Sequence, residues 1–198
     1  GVCLRDGDIE GAAARLLQGC GACIRGYLRV ALSEDRLVRD AFSAFSEAVW
    51  QRIRRYRAEK RLVVWAHRLA YVAAKERGET SRLRKPSSTR KAKTGSRDLS
   101  RTRAATLQPL GAAEDAELMR RELSLEEQTL LTLRIDRQFE WAEIAWVLSQ
   151  GSGSGAGAQM ARRFERLVAR LHATAVARGL IERGPLPANL ASLQLSRR

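Results

Sequence analysis

Aromatic and basic side chains share one face of a predicted helix that runs from about Lys60 to Gly78. Trp65 and Tyr71 offer rings on which unpaired bases can stack. The cations on this face, which can hold phosphates, are Arg61, Arg68 and Lys75. Such a mixture is typical of surfaces that bind a single nucleic-acid strand. The alternative is that a neighbouring helix covers Trp65 and Tyr71 and leaves only the basic residues in contact with solvent.

A second cationic face is predicted on a helix from about Ala158 to Ala177. Its apolar residues recur at helical spacing and are Met160, Phe164, Leu167 and Leu171. Its outer face carries Gln159, Arg162, Arg163, Arg166 and Arg170. A short helix over 139–148 precedes it, with Ile144, Ala145 and Leu148 as the buried edge. This order predicts a helix-turn-helix whose second helix reads the major groove; the alternative is an amphipathic helix with solvated arginines.

Cys20 and Cys23 form a C-x-x-C motif. A redox pair of this kind needs a strand-to-helix context, which the helical segment around it lacks. A zinc site needs two more ligands, and the remaining donors are Cys3, His67 and His172. No Ser-His-Asp set, carboxylate pair at a recognisable spacing or phosphate-binding glycine loop is present. The sequence therefore predicts no cofactor and no metal.

Helices must position these residues, because in no segment do apolar and polar residues alternate with a period of two for long enough to predict a sheet. All four prolines fall in two zones, which leaves 1–85 and 110–184 free of proline. The predicted fold is all-α, with two small helical domains over 1–85 and 113–179. A flexible basic linker over 86–112 joins them, and a tail covers 180–198. Between Thr80 and Arg103 nine basic residues stand against one aspartate.

Local signals place several helix boundaries and faces. The first segment, Gly11 to Leu32, can hold two short helices broken near Gly19 and Gly21. The next helix ends at about Tyr56, and its inward residues are Val38, Ala41, Phe42, Phe45, Val49, Ile53 and Tyr56. The helix after it should pack through Leu62, Val63, Ala66, Leu69, Ala70 and Ala73. Further on, Ser-x-x-Glu at Ser124 is a capping box that predicts a helix start at Leu125.

The formal charge of +14 favours a polyanionic partner. No apolar run is long enough to span a bilayer, and the N-terminal residues lack the features of a secretory signal. Three cysteines are too few for a disulfide scaffold. We therefore expect a cytoplasmic protein with no membrane partner.

The motifs together resemble bacterial RNA polymerase sigma factors of the extracytoplasmic-function type. The segments that carry the resemblance to the C-terminal domain of that family are 125–134, 139–145 and 160–164. Those that resemble its N-terminal domain are 40–45 with Trp50, and 65–70 with Ala73 and Ala74. The likeness covers about 10–84 and 113–177, in the order that the family has.

The resemblance implies a transcription initiation factor and not an enzyme, with promoter DNA and core RNA polymerase as partners. Residues implied to contact the clamp helices of the largest polymerase subunit are Asp40, Ser43, Glu47, Trp50, Gln51 and Arg54. Those implied to melt and hold the −10 element are Arg61, Trp65, Arg68, Tyr71 and Lys75, beside the loop 57–60. Those implied to read the −35 element are Gln159, Arg162, Arg163 and Arg166. An anti-sigma protein is a further partner that the family allows.

Two departures from the family pattern affect these expectations. The turn Ser149–Gly157 is longer than usual and rich in glycine, which fixes the second helix less firmly. Val72 and Glu76 stand where many relatives carry Asn and Asp, so the preferred −10 sequence can differ. Two other functions stay open: a basic helical protein that binds DNA or RNA without polymerase, and a redox-sensing regulator that uses Cys20 and Cys23.

Overall fold

The computed structural model describes residues 8–32, 34–57, 60–84, 118–120, 122–149 and 155–181. Within these ranges every regular element is a helix, so the fold is all-α. The helices are α1 (Ile9–Ala31), α2 (Asp35–Arg52), α3 (Leu62–Arg84), α4 (Leu125–Leu131), α5 (Trp141–Leu148) and α6 (Ala156–Ala177). None of them is both long and apolar enough to cross a bilayer. The predicted linker 86–112 lies outside the described residues, as do most of the predicted tail and Cys3.

Helix α1 is continuous, so the predicted break near Gly19 and Gly21 is wrong. Its start is fixed by Asp8, whose Oδ1 accepts a hydrogen bond from the Gly11 amide at 2.8 Å. A glycine inside a helix costs only about 1 kcal/mol relative to alanine, which tertiary packing readily offsets. Gly21 is buried, and a Cβ atom placed on it would lie 3.6 Å from the Phe42 ring. The helix continues through its glycines because apolar residues before and after them are buried in the core.

Helix α2 buries most of the face that periodicity predicts. Val38, Ala41, Phe45 and Val49 are buried together with Ile53, which lies in the 3₁₀ turn Ile53–Arg55 after the helix. Two other predicted inward residues, Phe42 and Tyr56, are half-buried. The chain then turns into α3, and the Tyr56 hydroxyl donates to the Lys60 carbonyl at 2.5 Å.

Helix α3 is buried on two sides. Ala66, Leu69, Ala70 and Ala73 pack into a core with α1 and α2, as their spacing predicts, while Leu62 and Val63 are half-buried. On its other side, Val64 and Tyr71 enter a second core formed by residues of α4, α5 and α6. A helix with apolar residues on both sides needs partners on both. The partner on the second side comes from the other half of the chain.

The second half of the chain begins with the predicted capping box. The Ser124 hydroxyl accepts from the Glu127 amide at 3.3 Å, and Glu127 Oε2 accepts from the Ser124 amide at 2.9 Å, so α4 starts at Leu125. One turn of π-helix, Thr132–Asp136, follows α4 and precedes α5. In α5 the buried residues are Ile144, Ala145 and Val147. The predicted buried edge was right for Ile144 and Ala145, but Leu148 is only half-buried and Val147 is buried instead.

Helix α6 buries Met160, Phe164 and Leu167, as predicted, and the fourth predicted inner residue, Leu171, is half-buried. After its last residue, Ala177, Gly179 adopts a φ of +72°, the left-handed conformation that commonly ends a helix. At the other end, Gly157 lies so close to α5 that an added Cβ atom would be 3.2 Å from the Ala142 amide nitrogen. This close approach sets the position of α6 relative to α5.

The two halves of the described chain pack against each other. We call α1–α3 the N-terminal block and the helices α4–α6 with their connections the C-terminal block. The Tyr27 hydroxyl donates to Thr129 Oγ1 across the two blocks at 3.0 Å, since the Thr129 proton is used at the Leu125 carbonyl. Helices α3 and α5 are in direct contact, and Val64 of α3 is fully buried in the core of the C-terminal block.

Candidate nucleic-acid and polymerase-binding surfaces

The predicted strand-binding face of α3 is partly covered in this structure. Tyr71 is buried, and Trp65 is half-buried with its ring 5.4 Å from that of Tyr56 in an edge-to-face arrangement. Tyr71 is therefore closed to solvent in this conformation, whereas part of the Trp65 side chain stays accessible. The alternative, in which a neighbouring helix covers the rings, fits Tyr71, which lies in the core of the C-terminal block, whereas Trp65 packs against the core of the N-terminal block.

Two of the three predicted cations on this face are engaged by the C-terminal block. Arg61 donates from Nε and Nη2 to the two carboxylate oxygens of Glu143, at 2.6 and 2.5 Å. Arg68 Nη1 donates to the Val147 carbonyl at 2.5 Å. Lys75, one to two turns further along α3, is exposed. The cations thus hold protein oxygens where the prediction placed phosphates.

Glu126 links α3 to α6 through two side chains. Its Oε1 accepts from the Tyr71 hydroxyl at 3.4 Å, and its Oε2 pairs with Arg163 Nη2 at 2.7 Å. Burial and the neighbouring Glu126 carboxylate raise the pKa of Tyr71 to about 12. The phenol is therefore a neutral hydrogen-bond donor over the ordinary pH range. Arg163, a predicted −35 contact, is half-buried in this bridge.

The outer face of α6 carries an exposed polar stripe. Gln159, Arg162 and Arg166 are exposed, and their spacing places them on neighbouring turns of one helix side. The opposite side is anchored by the buried Phe164, whose ring lies 5.4 Å from that of Trp141 at the start of α5. Three of the four predicted −35 residues therefore lie together on an accessible face that α5 holds in place.

The six predicted polymerase contacts lie on the exposed side of α2 and the turn after it. Each of these residues is exposed: Asp40, Ser43, Glu47, Trp50, Gln51 and Arg54. Gln51 Nε2 donates to Glu47 Oε1 at 3.0 Å. Trp50 is 44% exposed, which is high for the largest apolar side chain. An accessible indole among polar neighbours is the kind of residue that anchors protein interfaces.

The contacts of Glu126 and Glu143 with α3 were not predicted from the sequence. Glu143 Oε2 also accepts from the Glu140 amide at 3.0 Å, which is the local role that a glutamate three residues into a helix start suggests. No sequence signal pairs it with Arg61, which lies 82 residues away. Only the packing of α5 on α3 brings the two together.

The thiols of the C-x-x-C motif lie in α1 without a metal-binding arrangement. Burial, and secondly the neighbouring Cys23, raises the pKa of Cys20 to about 11, so its reactive thiolate is scarce at neutral pH. Cys23 Sγ lies 3.9 Å from His67 Nε2. Among the described residues, no three His, Cys, Asp or Glu side chains gather as metal ligands.

His67 is fully buried between the two blocks. Its Nδ1–H donates to the Val63 carbonyl at 2.8 Å, which leaves Nε2 as an acceptor for the Cys23 thiol. Its ring lies 5.8 Å from that of Tyr27 and 5.1 Å from that of Phe139. Burial lowers the pKa of His67, and the positive charge of nearby Arg137 acts in the same direction. The histidine is a neutral packing residue.

Acid is expected to destabilise the fold through His67. Because its pKa is lower in the folded chain than its ordinary value of about 6.5, the unfolded chain binds the extra proton first as the pH falls. The free energy of unfolding should therefore fall below pH ~6.5, by at most about 1.4 kcal/mol per pH unit from this group. Urea unfolding at several pH values measures the loss. His67→Gln should reduce it and the control His172→Gln should not; equal losses in wild type and His67→Gln would contradict the assignment.

No protein-family model, curated protein or solved structure matches the chain.

Proposed function

We propose that the chain is a transcription initiation factor of the sigma type. It binds core RNA polymerase in the cytoplasm and directs it to promoters, where it helps to melt the −10 element and reads the −35 element. It is not an enzyme in this proposal, because the polymerase supplies the chemistry.

The observation that carries the proposal is the exposed stripe on α6. Gln159, Arg162 and Arg166 are donors that suit base edges and phosphates in a major groove. Helix α5 packs against the other side of α6, and the close approach at Gly157 supports a defined angle between the two helices. A supporting helix followed by an exposed reading helix is the arrangement that helix-turn-helix proteins use.

The exposed side of α2 supports the polymerase part of the proposal. The six predicted contacts share one accessible side, with Trp50 available as an anchor. Binding there leaves α6 free, since the stripe and Trp50 belong to different blocks. The chain can therefore touch polymerase and duplex DNA with separate surfaces.

Reconstituted transcription tests the proposal. Purified chain and bacterial core polymerase are incubated with a promoter library, and the transcripts are sequenced. We expect transcripts from a subset of templates that share two spaced elements. A control sigma factor shows that the core is active. Transcription no higher than with core polymerase alone, while the control works, would reject the function.

A basic helical protein that binds DNA or RNA without polymerase is the second candidate. The net charge of +14 and the exposed arginines of α6 favour it, because neither feature requires polymerase. A pull-down with core polymerase separates the two. Retention of the polymerase supports the sigma function, whereas nucleic-acid binding without retention supports the second candidate.

A further inference from the structure

The C-terminal block occupies the side of α3 to which we assign strand binding. Val64 is fully buried in the core of the C-terminal block, and Tyr71 keeps only 2% of its surface exposed. Of the five residues predicted to hold the −10 strand, Tyr71, Arg61 and Arg68 contact that block directly. A nucleic-acid strand and the C-terminal block therefore compete for one surface.

The polar contacts of this interface resemble those that a nucleic acid would make, because a carboxylate takes the place of a phosphate. Arg61 holds both oxygens of the Glu143 carboxylate, as a guanidinium holds a phosphate. Its guanidinium also lies 5.3 Å from the centre of the Phe139 ring. The Arg61 side chain is 57% exposed whereas that of Glu143 is 13% exposed, so an approaching anion can reach the arginine from solvent.

We propose that the C-terminal block is an intramolecular cover that closes the strand-binding face of α3, with the Arg61–Glu143 ion pair as its latch. The proposal rests on the strand-binding part of the function proposed above. In the closed chain Tyr71 and Arg68 are held by the C-terminal block. Phosphate groups open the chain when they replace the Glu143 carboxylate at Arg61. The apparent affinity for a single strand is then the intrinsic affinity reduced by the fraction of chains that are open.

Glu143→Gln tests the latch. The amide removes the charge but keeps an oxygen that can accept from the Glu140 amide, so α5 keeps its start. Breaking a partly exposed ion pair should favour the open chain and raise single-strand affinity about two- to fivefold. The affinity is measured by fluorescence anisotropy of a labelled single-stranded oligonucleotide. The radius of gyration from small-angle X-ray scattering reports the separation of the blocks.

Glu127→Gln is a matched control. Glu127 also accepts from a backbone amide three residues earlier, at Ser124, and pairs with an arginine, Arg170, at 2.7 Å. All of these partners belong to the C-terminal block, so the substitution removes the same charge without touching α3. Single-strand affinity and radius of gyration should stay at the wild-type values.

Val64→Gln opens the same interface without changing any charge. In the closed chain its amide is buried among apolar side chains, whereas in the open chain it faces solvent on α3. We expect a rise in single-strand affinity of about tenfold or more. Circular dichroism checks that the helices of each variant remain folded.

The cover is supported if both single-strand affinity and radius of gyration increase in Glu143→Gln and in Val64→Gln. Neither quantity should increase in Glu127→Gln. Unchanged affinity and radius in both opening variants would overturn it. Expansion without a gain in affinity would also overturn it, because the uncovered face would then not bind a strand. Transcription with core polymerase is scored separately. Tighter strand binding by a chain that never supports transcription keeps the cover and rejects the sigma function.

Discussion

Replacing Trp65 with alanine is expected to reduce the yield of open promoter complex about 5- to 150-fold, since stacking of one base on an aromatic ring contributes about 1–3 kcal/mol. The indole is half-buried beside Tyr56 and so is already held at one edge by a neighbouring ring. Permanganate reactivity of unpaired thymines at the promoter measures the opening. Trp65→Phe keeps a ring and should retain most of the activity.

Loss of stability must be separated from loss of stacking in this experiment. Trp146 in α5 is also a half-buried tryptophan, and it packs against the core of the C-terminal block. Trp146→Ala therefore removes the same side chain outside the predicted strand-binding face. If Trp146→Ala and Trp65→Ala reduce promoter opening equally at matched folded fractions, Trp65 has no special role in holding the strand.

The parts of the fold that sequence reasoning predicted correctly depend on neighbours within a few turns. The buried residues of α2 follow from spacing alone, since Val38, Ala41 and Phe45 repeat at helical intervals. The capping box at Ser124 could also be recognised from the sequence, because both of its hydrogen bonds join residues three positions apart. Such features are decided locally, and a single sequence contains the information.

The parts that failed depend on contacts between distant segments. The break predicted in α1 was wrong because apolar residues on both sides of the glycines, such as Leu16 and Ile24, are buried against other helices, which no local propensity reveals. Contacts between distant segments also explain why the surroundings of the predicted site on α3 were not predicted. Its rings and cations were recognised, but their partners Glu126 and Glu143 are 55 and 82 residues away from the α3 side chains they bind. A sequence predicts what a helix face carries and leaves open what covers it.

The exposed residues of α2 and α6 were easier to place than those of α3 for the same reason. A polar side of an amphipathic helix stays at the surface unless another element brings apolar side chains to it. Gln159, Arg162 and Arg166 meet that condition, and so does the polar margin around Trp50. The face of α3 does not, because Val64 and Tyr71 give it an apolar centre that the C-terminal block can bury. Because the face combines an apolar centre with cations, it suits both a nucleic-acid strand and the C-terminal block as alternative partners.

Replacing Trp50 with alanine is expected to weaken binding to core RNA polymerase about 30-fold or more, since interface anchors of this type contribute about 2 kcal/mol or more. The free chain should keep its free energy of unfolding within about 0.5 kcal/mol, because an exposed side chain contributes little to the core. Surface plasmon resonance with immobilised core polymerase measures the affinity. Ile181→Ala is the control, since Ile181 is 43% exposed against 44% for Trp50 and lies outside the predicted contacts. Equal weakening by both substitutions would indicate unspecific apolar adhesion, and unchanged binding by Trp50→Ala would remove α2 as the polymerase-binding surface.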